Sequence, residues 1–300
     1  MPSPDAHDVR SLHGVSWLNR AMPVVHHFAH GPTNPIAAYA LAFLGALLGL
    51  SCTARARTAT TRIRRARWLG TASFSIGGGI WLMHFTAMLG FDIPDSPVRY
   101  EPRTTIASAL MAVAMVGLGL VLVGTGRRAV WKVLLGGVLT GTGVAAMHYT
   151  GMAAMRIDGH VGYDRSVVGA SVLIAIVAAT VALWLSVTVQ GRGPILFSAG
   201  IMGVAVCGMH YTAMGAMRVH LFTDAAAPVA GMEPITLILP ITVITMATLV
   251  GLVFSALQTA TLEEFGRSPA PTSHAVHRQQ FAVFSGSAPV PPSARFANHQ

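Results

Sequence analysis

Three short stretches of this chain could do chemistry: "MHFTAM" from Met83, "MHYTGM" from Met147 and "MHYTAM" from Met209. Each sets an imidazole and a thioether four residues apart. On a helix turning about 100° per residue, such a pair shares one face. The pairs are His84/Met88, His148/Met152 and His210/Met214. If the helices continue, Met155 and Met217, seven beyond their histidines, extend the same stripe, and Cys207 lies close to it. The leading methionines, Met83, Met147 and Met209, point about 100° away, within reach of a neighbouring helix. Phe85, Tyr149 and Tyr211 point to the other side.

Imidazole nitrogen and thioether sulfur without a carboxylate form a soft donor set. Thioether selects Cu(I), and imidazole serves copper in either oxidation state. Magnesium, calcium and di-iron sites need oxygen ligands, and zinc prefers cysteine, histidine or carboxylate. Copper is therefore the best chemical match. Haem is the rival, because histidine and methionine are both axial ligands of its iron. One histidine in an apolar helix more often bonds across a helix interface, and one methionine more often packs. Ionisable residues repeated three times within apolar spans point instead to a functional site.

The elements that carry these residues are apolar. Of 300 residues, 53% are hydrophobic and 10% charged, far fewer charges than the roughly 25% of a soluble domain. Seven stretches reach the ~20 residues a membrane helix needs: 35–54, 68–91, 105–124, 132–155, 167–189, 194–217 and 235–258. The expected fold is an all-α integral membrane protein, seven transmembrane helices built from three repeated helical hairpins plus one final helix. The motifs fall on spans two, four and six. Each histidine lies sixteen residues from Trp68, Lys132 or Pro194, so the three imidazoles share one depth near the outer face. The even spans would bring the motifs together around an axis along the membrane normal.

Net charge is +9, and "RARTATTRIRRAR" between spans one and two holds six of the arginines. Basic loops face the cytoplasm. The arrangement places the protein in the plasma (inner) membrane with the N-terminus outside and the C-terminus cytoplasmic, its partner the lipid bilayer and not nucleic acid. Residues 1–34 form a His-rich extracytoplasmic arm, 35–258 the membrane domain, and 259–300 a disordered cytoplasmic tail rich in Pro, Ser, Ala and His. "GALLG" from Gly45 and "GVLTG" from Gly137 are small-residue patterns suited to close helix contact. No catalytic motif is found, so no enzyme activity is expected.

The triple Met-His-Tyr-Thr motif on alternate spans resembles the MHYT domain of bacterial integral-membrane signalling proteins, over roughly residues 35 to 258. The resemblance implies copper held by Met83 and His84, by Met147, His148 and Tyr149, and by Met209, His210 and Tyr211. It implies sensing of a diatomic gas (oxygen, carbon monoxide or nitric oxide) or of copper itself. Phe85 departs from the family pattern, which has tyrosine there. Many relatives carry an output domain after the last helix. None is read in residues 259–300, so a cytoplasmic signalling partner is expected to receive the signal. The alternatives are a copper transporter or donor and a haem-binding membrane redox subunit.

Overall fold

A computed structural model describes residues 31–93, 96–126, 129–222 and 229–236, with scattered positions from 239 to 250. Residues 1–30 and 251–300 lie outside the described residues, and with them most of the expected His-rich arm (1–34), the end of the seventh span and the whole expected tail (259–300). Six long helices follow in chain order: α1 (Thr33–Thr58), α2 (Arg62–Met88), α3 (Pro102–Gly124), α4 (Val130–Ala153), α5 (Arg165–Thr188) and α6 (Arg192–Gly215). Residues 234–236 begin a further helical stretch, described at intervals to 250.

Each helix packs on the next, and α6 returns to α1, so the six close into a ring. Helices α2, α4 and α6 run in the same sense and carry the motifs at one end of the bundle, here the motif end. The opposite end holds Arg55, Arg57, Arg62, Arg64, Arg65, Arg67, Lys132 and Arg192, here the basic end. The basic run expected as a loop is mostly helical. Only residues 59–61 separate α1 from α2.

Five helices, α1, α3, α4, α5 and α6, are long and apolar enough to cross a membrane. Large apolar side chains such as Leu110, Leu134, Leu173, Val177, Phe197 and Val204 cover their outer surface. In water this would be an adhesive patch, whereas in a bilayer it is the ordinary lipid face. The seventh expected span, 235–258, lies mostly outside the described residues, and among the described residues helix α2 has the length but falls short in hydropathy. The physical reason is its position. Residues 75 to 85 are buried without a break, against α1 and α3, with α4 and α6 on the inner side. A helix shielded from lipid can keep Ser73, Ser75 and three successive glycines. The hydroxyls of Ser73 and Ser75 donate to the carbonyls of Leu69 and Thr71 at 2.7 and 2.8 Å.

Close helix contact uses the predicted glycines. A methyl group on Gly45 would lie 2.6 Å from the Ser75 carbonyl oxygen and 2.9 Å from Gly79 Cα, so α1 and α2 cross backbone to backbone. On Gly141 it would meet Ile176 Cα at 2.4 Å, which brings α4 equally close to α5.

The fold is not wholly helical. At the motif end, β1 (Arg99–Tyr100) pairs antiparallel with β2 (Met155–Arg156), and β3 (Gly159–Tyr163) with β4 (Met217–Leu221). The helices expected to run through Met155 and Met217 stop at Ala153 and Gly215, and both methionines lie in strands instead of on the histidine stripe. The cause is long-range: "AAMR" and "GAMR" find strand partners some sixty residues away, a gain that alanine-rich local propensity does not register. Glu101 and Asp164 cap α3 and α5, accepting from Thr104 N at 2.7 Å and Ser166 N at 2.9 Å. Glu233 precedes the next helical stretch in the same frame and pairs with Arg99 at 3.2 Å.

Candidate metal centre

The three motif histidines meet on the axis of the ring. Each has about 1% of its surface exposed. Their Nδ1 atoms form a triangle: His84 lies 3.1 Å from His210 and 3.1 Å from His148, and His148 lies 3.4 Å from His210. The shared depth expected from residue spacing is thus realised as contact.

Such a triangle is chemically incomplete by itself. A neutral imidazole nitrogen either carries its proton and donates or presents a lone pair and accepts. Around three mutually adjacent nitrogens the roles cannot alternate, so at least one contact sets like against like. A cation among them lets all three lone pairs face inward. The point equidistant from the three atoms lies about 1.9 Å from each, close to the 2.0–2.1 Å typical of metal–imidazole bonds. The residues present therefore fit a three-coordinate nitrogen site. With Nδ1 used in this way the ring proton sits on Nε2, and the Nε2 atoms of His84 and His148 are buried without a hydrogen-bond partner among the described residues. Native proteins rarely keep such orphans without a functional reason.

The six motif methionines divide into two sets, all of them buried. Met88, Met152 and Met214 are 2–3% exposed and sit one helical turn, about 6 Å along the axis, towards the motif end on the histidine faces. The leading methionines are buried in packing roles. Met83 joins Ala38, Ala42 and Ala87 beside Val206, Cys207 and Tyr211, while Met209 lines an apolar cavity together with Met202. Met147 has no exposed surface.

The aromatic position of the second and third motifs ties its helix to a neighbour. The Tyr149 hydroxyl lies 2.8 Å from Ser171 Oγ on α5. Ser108 on α3 holds the corresponding place one repeat earlier. Phe85 has no hydroxyl to offer it, and Trp81 donates its indole N–H to Ser108 Oγ at 3.0 Å instead. The departure of the first motif is thus compensated one turn away. Tyr211 packs against the cluster around Met83.

Three contributors were not singled out in the sequence. Gly151 stands where the other motifs have alanine. A methyl group there would lie 2.4 Å from His84 Nε2, so the bare α4 backbone makes room for the first histidine. Tyr100, fully buried, faces Phe85 with ring centroids 5.7 Å apart, and it pairs its backbone with Met232 at 2.9 and 3.0 Å. Burial pushes its phenol pKa upwards. Ser108 is the third. The comparison of repeats carried a signal for two of them: the single Gly among "TAM" and "TGM", and "YEP" aligned with "YDR".

The profile of the MHYT family, described as a bacterial signalling protein N-terminal repeat, matches three times, over residues 77–137, 141–199 and 203–270. The chain belongs to the MHYT family. Successive matches begin 64 and 62 residues apart, the separations of the three histidines. Among curated proteins, the chain is 38% identical over 196 residues to MucR of Pseudomonas aeruginosa, a bifunctional diguanylate cyclase/cyclic di-GMP phosphodiesterase, covering 63% of this chain and 28% of that protein. It is 34% identical over 200 residues to NbdA of the same organism, a cyclic di-GMP phosphodiesterase, covering 65% and 25%. It is 32% identical over 184 residues to the signalling protein YkoW of Bacillus subtilis, covering 59% and 22%. The chain spans about a quarter of the length of these relatives, and no solved structure matches.

Proposed function

We propose that this MHYT protein is a membrane sensor that binds copper at the His84–His148–His210 triangle, and that occupancy of the site, by the metal alone or with a diatomic gas, is the signal. The observation that carries the reading is the convergence of three buried Nδ1 atoms within 3.1–3.4 Å. Buried methionines one turn away, with no carboxylate in the motif, favour a soft ion. Copper so bound supplies redox chemistry and affinity for small gases. The protein contributes everything else. The three even helices each present one ligand, so a change in the site changes how tightly they are drawn together. Tyr149–Ser171 and Trp81–Ser108 hand that displacement to α5 and α3. The readout is a partner or domain on the cytoplasmic side, by analogy with the cyclic di-GMP enzymes whose matched region this chain shares. The spacing weighs against haem, since two axial nitrogens on one iron stand about 4 Å apart with a macrocycle between them.

The test is metal analysis and optical spectroscopy of detergent-purified protein beside the triple variant His84→Ala, His148→Ala, His210→Ala. Copper near one ion per site, lost in the variant and without a Soret band, is expected. Wild-type protein that takes up no copper on reconstitution would reduce the triangle to a helix contact.

A further inference from the structure

A cavity of about 50 Å³ lies directly on the basic-end side of the triangle. Ile80, Val144 and Val206 line it one turn from the three histidines, and Ile76, Thr140 and Met202 line it a turn further. Among the described residues, the only side-chain heteroatoms in this lining are the methionine sulfurs and the Thr140 hydroxyl, and that hydroxyl donates to the Met115 carbonyl at 3.3 Å. A water needs two to four polar partners, and apolar cavities stay dry and take up xenon or small hydrocarbons. The space exceeds the ~10–15 Å³ needed for one water-sized occupant, so a diatomic molecule fits.

The cavity also has a side towards the bilayer. A second apolar depression runs between α5 and α6 on the lipid face, lined by exposed Leu173, Val177 and Ile201. Ala178, Met202 and Ala205 line both spaces. The wall between lipid and cavity is therefore two methyl groups and one flexible thioether. Uncharged diatomic gases dissolve better in hydrocarbon than in water, so the bilayer is the richer source for them.

We infer that the cavity is a dry pocket for an uncharged diatomic gas, filled sideways from the bilayer between α5 and α6 past Ala178, Met202 and Ala205. The pocket delivers its occupant one helical turn from the three imidazoles. This inference rests on the sensor reading for its purpose, though not for its existence.

Xenon is the probe. Exchange is followed by xenon-129 NMR on the full chain in lipid nanodiscs, for wild type, the triple histidine variant, Ala205→Leu, Ala178→Leu and the control Val204→Leu, whose side chain faces lipid. Wild type and the histidine variant are expected to bind xenon alike. Either alanine variant should slow exchange severalfold, and Val204→Leu should leave it unchanged. Two alanine variants guard against one failing to fold, and circular dichroism checks each. No bound xenon in wild type would overturn the pocket. Unchanged exchange in both folded alanine variants would overturn the lateral route. A copper spectrum indifferent to carbon monoxide, beside xenon exchange as expected, would remove the gas-sensing reading and uphold the pocket.

Discussion

Gly151 is the residue on which the triangle's geometry turns most sharply. Its missing side chain is filled by His84, whose Nε2 would stand 2.4 Å from an added methyl group. Gly151→Ala should push the His84 ring off the other two nitrogens and lower copper affinity by about 10–100-fold, the usual cost of disturbing a residue behind a ligand. The reverse change at the matching position of the third motif, Ala213→Gly, should leave affinity nearly unchanged. Competition titration against a Cu(I) chelator measures both, and equal affinities in wild type and Gly151→Ala would show that the triangle tolerates a displaced ring. A second residue-scale expectation concerns Ser108. Ser108→Ala leaves the Trp81 indole N–H buried without an acceptor and should cost about 1–3 kcal/mol in thermal unfolding. The histidines were legible from sequence because spacing along a helix fixes depth and face without any partner. Gly151 showed only as a departure among the repeats and Ser108 not at all, because their meaning lies in what they face on another helix. The roles of Tyr149 and Tyr211 divide in the same way: Tyr149 bonds to Ser171, and no spacing rule along α4 could name that serine.

At the scale of elements, spans were most readable where hydropathy and lipid exposure coincide, and the signal weakens where they separate. Helix α2 is enclosed, so lipid no longer dictates its composition, and its seryl and glycyl residues serve contact with α1 and α3 instead. The ends of α4 and α6 were placed too far along for a different reason, since strand pairing between distant segments overrode local helix preference. The caps at the opposite ends of α3 and α5 give a pH expectation. Hydrogen bonds from Thr104 hold the Glu101 carboxyl below its ordinary value of 4.5, and bonds from Ser166 hold Asp164 below 3.8. A carboxyl whose folded pKa is depressed contributes stability that is fully present above the unfolded value and is lost as pH falls through the folded one. Stability should therefore decline from just above pH 4.5 downwards. Glu101→Gln with Asp164→Asn should flatten that decline while lowering stability at neutral pH. Melting temperatures between pH 3 and 7 would settle it, and parallel curves for variant and wild type would rule the caps out as the acid-sensitive groups.

For the whole molecule, the ring joins a ligand cluster at one end to an arginine-rich collar at the other. At the collar, Arg57 of α1 donates to the carbonyls of Ser186 and Val189 at the end of α5, and Arg65 of α2 donates to the Gly124 carbonyl at the end of α3. These bonds satisfy helix-terminal acceptors that α5 and α3 cannot satisfy themselves. They also join the basic end of α2 to the far end of α3, the path along which the proposed sensor would pass a shift of α2 to a cytoplasmic reader. That scheme requires the collar to face the cytoplasm. Among the described residues, eight Lys and Arg lie at the basic end and five Arg (Arg99, Arg103, Arg156, Arg165 and Arg218) at the motif end, where Asp92, Glu101, Asp158, Asp164 and Glu233 accompany them. Acidic residues contribute little to orientation, so the bias is eight to five. Six of the eight fall within the thirteen residues from Arg55 to Arg67, the arrangement that most strongly retains a segment on the cytoplasmic side. Reporter fusions decide the matter. Alkaline phosphatase joined after Phe222 should be active and joined after Gly126 inactive, with a cytoplasm-requiring fluorescent protein giving the opposite pattern. The reverse result would put the triangle on the cytoplasmic side and the arginine collar outside, and a partner would then have to read the ligand end directly instead of through the length of the bundle.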